Sequence, residues 1–219
     1  MTAIRAIRMT LAICLLGASA ANAQGSKPAE ASNELAALLE LKGDPARGKT
    51  IFTICQDCHR KDASGRANGV YPRLAGQYAS VLIKQISDIR AGRRNNPSMQ
   101  PLVTALSRND IADVVSYIQS LPVGESNGKG AGGGASRGRQ LYDRDCAACH
   151  GANGEGEAAK FYPMVAAQHY RYLLREVFSI RHGDRGNSDP AMVKVVRNYS
   201  PIDLEAVADF MSQLPPPKR

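Results

Sequence analysis

The chain has no tryptophan, four phenylalanines and an aromatic share of 5%. Side chains alone therefore bring little bulk to a core, and small domains built from them would be thin. No alternation of apolar and polar residues runs far enough to propose a strand, which sets aside sandwiches and barrels. No apolar run reaches the roughly 20 residues of a membrane-spanning helix. Histidine is scarce, with four in 219 residues. The formal charge is +8, yet it forms no dense basic patch of the kind nucleic acid requires. Cysteine is nearly as scarce: Cys14, Cys55, Cys58, Cys146 and Cys149 are all there are.

Four of the five are arranged with a purpose. Cys55-Gln-Asp-Cys58-His59 and Cys146-Ala-Ala-Cys149-His150 are each a C-x-x-C-H string, the attachment signature for c-type heme. The chemistry explains the spacing. Two thiols three positions apart sit on adjacent turns of a helix, and each can form a thioether to one vinyl group of the same porphyrin. The next residue, His, then projects under the ring and can ligate iron. Other uses of C-x-x-C are a thioredoxin-like redox pair, a zinc ligand set or a structural disulfide. The first follows a strand in an α/β chain, and no such pattern occurs. Zinc would leave odd ligand counts. Two covalently held hemes would also supply the apolar surface that the side chains lack.

The fifth cysteine lies in a segment that should not survive maturation. Arg5 and Arg8 precede an apolar stretch from Met9 to Ala20, and Ala21-Asn22-Ala23 is an A-x-A cleavage site. Residues 1–23 therefore read as a signal peptide for export to the periplasm, with no transmembrane anchor after cleavage. An uncleaved anchor is the alternative. Loss of Arg5 and Arg8 takes the formal charge from +8 to +6. Residues 24–43 are an N-terminal extension with a short helix expected over Asn33 to Leu41.

The second half replays the first. His59 recurs 91 positions later as His150, and Tyr71-Pro72 recurs at the same offset as Tyr162-Pro163. Leu82, Gly92 and Arg94 recur as Leu173, Gly183 and Arg185. After a two-residue insertion, Pro97-Ser98-Met99 recurs as Pro190-Ala191-Met192. The expected fold is all-α, two tandem domains over 44–122 and 137–219. Helices are expected over Asp44 to Ile54, Gln77 to Gly92, Ser136 to Asp145 and Gln168 to His182. Two more follow capping signals at Ser107-Arg-Asn-Asp110 and Ser200-Pro-Ile-Asp203. The join, 123–136, reads VGESNGKGAGGGAS, which as a flexible coil would have a root-mean-square span of about 20 Å.

The repeat also nominates the sixth iron ligands. Met99 and Met192 occupy matching positions ahead of the final helix of each half. A thioether ligand raises the potential and closes the iron to substrate. Met164 stands where the first half has Arg73, and Met211 lies in a helix stripe, so both read as packing. His169 and His182 are rival ligands, but their counterparts are Tyr78 and Ala91, and they read as surface histidines. The carbonyls of Pro72 and Pro163 are the candidate acceptors for the second ring nitrogens of His59 and His150.

In these pieces, with Tyr71-Pro-Arg-Leu-Ala-Gly-Gln77, Ile89-Arg-Ala-Gly-Arg93, Tyr117-Ile118 and Tyr162-Pro-Met-Val-Ala-Ala-Gln168, the chain resembles the class I cytochromes c. It most closely resembles the diheme cytochrome c4-like proteins of bacterial periplasms. The resemblance covers Asp44 to Leu214. It implies two small helical domains, each wrapped around one heme, with His/Met iron. It implies an electron shuttle from a quinol-oxidising cytochrome bc complex to a terminal oxidase or reductase, and not an enzyme. It further implies that Gly48, Phe52 and Tyr117 join the first and last helices of one domain, and Gly138, Tyr142 and Phe210 those of the other. Two departures stand out: Arg60 replaces the Gly after the first motif His, and the linker is long and Gly-rich. Two other functions fit the same motifs. One is a heme-bearing subunit of a larger dehydrogenase or reductase. The other is a diheme peroxidase or thiosulfate-oxidising enzyme, though neither repeat shows a distal acid-base pair. The basic charge suits an acidic docking face on a redox partner.

Overall fold

The computed structural model describes residues 28–218, so the expected signal peptide, 1–23, lies outside the described residues. Among the described residues there are eleven α-helices and no strand. None of these helices is long and apolar enough to cross a membrane. The first half holds α1 (Pro28–Leu39), α2 (Pro45–Ile51), α3 (Gln56–His59), α4 (Ala79–Arg90), α5 (Gln100–Ala105) and α6 (Arg108–Ser120). The second holds α7 (Ala135–Asp145), α8 (Ala147–His150), α9 (Tyr170–His182), α10 (Pro190–Arg197) and α11 (Pro201–Gln213). Short 3-10 turns occupy Phe52–Ile54 and Ala158–Lys160.

The capping signals act as expected. Ser107 Oγ accepts from the Asp110 amide at 3.1 Å, and the Asp110 carboxylate accepts from the Ser107 amide at 3.0 Å. Ser200 and Asp203 repeat the arrangement at the start of α11. Two short helices, α5 and α10, were not anticipated. Each has Pro in its first turn, and Asp189 caps α10 by accepting from the Ala191 amide at 2.8 Å.

In each half two helices cross at a glycine, α2 with α6 at Gly48 and α7 with α11 at Gly138. A Cβ on Gly48 would lie 2.0 Å from the Asp113 carbonyl oxygen, and one on Gly138 would lie 2.0 Å from that of Ala206. The Phe52 and Tyr117 rings meet beside the first crossing with centroids 5.6 Å apart, and Tyr142 and Phe210 beside the second at 5.3 Å. Each half has its own core. Leu82, Ile86, Ile89, Ile111, Val114 and Val115 lie in the first, and Leu173, Val177, Ile180, Leu204 and Val207 in the second. Helix α1 adds to the first: Leu38 is fully buried, and Glu34 pairs with Arg90 at 3.2 Å. The second half has no such cover helix among the described residues.

The Gly-rich tract is not a free coil. Gly130 donates its amide to Ser212 Oγ at 3.0 Å, and Gly132 and Gly134 each donate to the Asp209 carboxylate at 3.1 Å. Asn127 Nδ2 donates to the carbonyls of Gln168 and Ser212. Its glycines serve close approach. A Cβ on Gly128 would sit 2.0 Å from the Ala67 carbonyl oxygen, and one on Gly130 would sit 2.3 Å from Asp209 Oδ1. His169 is likewise no surface residue. It is 2% exposed, its Nδ1 accepts from the Gly128 amide at 2.9 Å, and its Nε2 faces the Ser64 carbonyl at 2.8 Å. Burial pushes its pKa below the ordinary value and keeps the ring neutral.

The strap closes onto a direct interface between the halves. Arg94 and Arg185, equivalents in the repeat, both reach Glu176, at 3.0 and 2.8 Å. Arg185 and Asn187 donate to Gln85, and Asn187 also donates to Asp88 at 2.7 Å. The Arg73 guanidinium donates to the carbonyls of Ala167 and Ser126. Charge-assisted bonds of this kind, several of them half-buried or better, hold two domains far more firmly than an unstructured linker could.

Candidate heme sites

In each C-x-x-C-H string the first cysteine, Cys55 or Cys146, is the N-cap of a four-residue helix, α3 or α8, that follows α2 and a 3-10 turn in the first half and α7 in the second. The helical turn brings the two sulfurs to one side and sends the histidine inward. His59 is 5% exposed and His150 is half-buried. The proline carbonyls take up the second ring nitrogen as expected. His59 Nδ1 lies 3.0 Å from the Pro72 oxygen, and His150 Nδ1 lies 3.0 Å from the Pro163 oxygen. With Nδ1–H donating to a carbonyl, the lone pair is on Nε2, the tautomer that a ligand needs. Burial holds both imidazoles below their ordinary pKa and so uncharged.

The cysteine environments speak against a thiol redox pair. Burial pushes the Cys55 thiol up to about 11, with Cys58 adding to it, and the Cys146 thiol up to about 12, with Asp145 adding to it. A redox or nucleophilic cysteine needs the opposite shift. A half-buried Cys55 and a buried Cys146, each with a raised thiol pKa against an apolar core, suit covalent anchoring. Cys55 packs against the first core and Cys146 lies within the second.

Met99 and Met192 pack against those same two cores, each half-buried. Met99 caps α5, where its amide donates to Asn96. Met192 lies in the first turn of α10. The structure therefore places Cys55 and Met99 against one core and Cys146 and Met192 against the other, with His59 and His150 each held on the proline carbonyl of its own half. The rival histidines are placed elsewhere. His169 is engaged at both ring nitrogens, and His182 is exposed beside Phe178. Met164 and Met211 are buried packing residues. Among the described residues no cluster of His, Cys, Asp and Glu could hold a bare metal ion, and the donor set present matches a porphyrin-bound iron.

Arg60 departs from the pattern with consequences. Its φ is +69° and ψ 161°, and Gly151 at the matching position has φ +80° and ψ 156°. The turn is the same, but a side chain there is strained by about 1–3 kcal/mol. Arg60 is exposed, so no burial offsets the strain. The Arg60→Gly variant should gain about 1 kcal/mol after the added chain entropy of glycine, about 0.5–1 kcal/mol, is subtracted. Chemical denaturation of the holoprotein checks this, and a lower midpoint would contradict it. The second half has a further hold here: Tyr142 Oη donates to the Gly151 carbonyl at 2.7 Å, where the first half has Phe52 and no hydroxyl.

Sequence reading quoted the two glutamines that end the Tyr-Pro segments but gave them no role. Gln77 and Gln168 are buried, and each bonds the backbone of the opposite half. Their equivalence at the repeat offset was the available signal.

Comparison with known proteins agrees with this geometry. The cytochrome c family model matches twice, over residues 45–122 and 135–215. A protein of Stutzerimonas stutzeri (strain A1501) described as a thiosulfate dehydrogenase electron acceptor is 34% identical, over 82% of this chain and 91% of its own. Cytochrome c4 of Pseudomonas aeruginosa is 31% identical, over 82% of this chain and 93% of its own. The crystal structure of reduced recombinant cytochrome c4 from Pseudomonas stutzeri superposes with a TM-score of 0.71 at 29% identity, covering 78% of this chain and 99% of that one. The chain belongs to the cytochrome c family, in its diheme cytochrome c4-like branch. It carries two covalently bound heme c groups and works as an electron-transfer protein, not an enzyme.

Proposed function

We propose that Cys55 and Cys58 hold one heme through thioethers and that Cys146 and Cys149 hold the other. His59 with Met99, and His150 with Met192, would ligate the two irons. Working in the periplasm, the protein takes single electrons from a quinol-oxidising cytochrome bc complex and passes them to a terminal oxidase or reductase. The bound iron supplies a one-electron Fe(III)/Fe(II) couple. The chain's own residues set its context. Pro72 and Pro163 fix the plane and tautomer of the histidine rings. Two protein ligands per iron leave no open position for substrate. Thioether ligation favours the ferrous form and raises the potential. The observation that carries this reading is the duplicated set: a histidine on a proline carbonyl at 3.0 Å, and a methionine at matching register against the core that the first motif cysteine also meets.

A redox titration with absorption spectra tests it. The expected result is two one-electron waves and the weak Met-sulfur-to-iron band of the oxidised protein. Met99→Leu should remove the band from one centre and lower that centre's potential. Rapid binding of carbon monoxide by both reduced hemes of the unmodified protein would overturn closed His/Met ligation.

One observation favours a different donor. The S. stutzeri relative is described as an electron acceptor of thiosulfate dehydrogenase, which would make this chain the acceptor of a thiosulfate-oxidising enzyme and not that enzyme itself. Rapid reduction by such an enzyme, and none by a bc complex, would favour that donor.

A further inference from the structure

Each motif histidine rests on one peptide unit, Pro72–Arg73 for His59 and Pro163–Met164 for His150. The opposite edge of each unit is an N–H group, and both N–H groups are taken by a glutamine of the other domain. The Arg73 amide donates to Gln168 Oε1 at 2.9 Å, and the Met164 amide donates to Gln77 Oε1 at 3.0 Å. The glutamines also donate back. Gln168 Nε2 reaches the Arg73 carbonyl and Gln77 Nε2 the Met164 carbonyl, both at 3.0 Å. Gln77 and Gln168 are repeat equivalents, as are Arg73 and Met164, so the four bonds form a two-fold clasp within one chain. The pairing admits only one orientation of each side-chain amide. The clasp is dry: Arg73, Gln77, Met164 and Gln168 are 4, 8, 5 and 7% exposed.

We infer that Gln168 is a positioning residue for the heme of the first domain and Gln77 for the heme of the second. A peptide whose N–H is engaged has a more negative carbonyl oxygen, because hydrogen bonds in series polarise one another. That oxygen grips the histidine Nδ1–H more strongly. A more strongly held Nδ1–H makes Nε2 a better donor, which favours Fe(III) and lowers the potential. The control is crossed, since the glutamine of one domain acts on the iron of the other. The inference rests on reading His59 and His150 as iron ligands.

The test uses the two-heme protein. Replacing Met99 or Met192 by His lowers the potential of that domain's heme and so assigns each wave to its domain. In these backgrounds Gln168→Leu should raise the potential of the first-domain heme, changing its oxidised-to-reduced ratio at fixed poise about tenfold, or 59 mV for one electron. The second-domain heme should move less. Gln77→Leu should give the reciprocal pattern. Gln168→Glu, which keeps an acceptor oxygen, should return the first-domain potential to its original value or below. In the reduced protein the His59 Nδ1–H should exchange with solvent faster in Gln168→Leu. An equal shift of both hemes, a shift confined to the substituted glutamine's own domain, or no shift would each overturn the inference. Absence of the Met-sulfur-to-iron band in the unsubstituted protein would instead overturn the ligand assignment, so the two failures are distinguishable.

Discussion

A chain carrying Cys55→Ala and Cys58→Ala should hold one heme in place of two, and its first domain should lose ordered helix while the second keeps its own. The argument starts from what fills the first core. Its buried set is aliphatic residues and alanine with a single aromatic, Phe52. The domain spans residues 45–122, a length at which one hydrophobic core supplies about 3–5 kcal/mol. Removing a buried Phe side chain alone costs about 3–5 kcal/mol. A porphyrin is several times larger, so its loss exceeds the margin. Heme content of the purified protein and far-ultraviolet circular dichroism check the outcome, with α1 to α6 expected to account for the lost ellipticity. Native helicity with one heme missing would show that side chains suffice. The companion pair, Cys146→Ala with Cys149→Ala, should unfold α7 to α11 instead.

Much of this protein is legible in the sequence because the repeat states everything twice. The proline behind each histidine and the methionine on each core stand where the matching registers put them, and the glycine at each helix crossing is the one the family resemblance implied. Helix starts at Ser107 and Ser200 follow from local capping chemistry, which needs no tertiary context. Other features depend on what the chain meets after folding. Helix α5 spans six residues with one buried, Val103, too short to display a periodic face. The glycines of the tract after Val123 read as freedom, yet Gly128 and Gly130 are there because backbone and carboxylate approach where a Cβ would collide. His169 lacks a counterpart in the first half because it has a task only at the join. Composition describes a segment's own tendencies, whereas the glycine tract and His169 are set by the contacts they meet at the join.

Substituting Gly138 by Ala should cost the second domain about 3 kcal/mol or more, one of the larger losses a single methyl can produce here. The added Cβ would lie 2.0 Å from the Ala206 carbonyl oxygen, 2.6 Å from its carbon and 2.8 Å from Phe210 Cβ. Two of these atoms are backbone within α11, so no rotamer change relieves the contact. Helices α7 and α11 must move apart, and the Tyr142–Phe210 contact at 5.3 Å opens with them. Gly183→Ala separates this effect from the backbone preference of glycine. At Gly183 φ is +84° and nothing lies within 4 Å of an added Cβ, so only the left-handed conformation is penalised, by about 1–2 kcal/mol. Denaturation followed at the heme absorbance should therefore rank Gly138→Ala well below Gly183→Ala. Equal midpoints would mean that the crossing adjusts freely. Because Gly48 meets Asp113 in the same way at 2.0 Å, Gly48→Ala should weaken the first domain by a comparable amount. The domain that loses its midpoint should follow the substitution, since each crossing closes its own core.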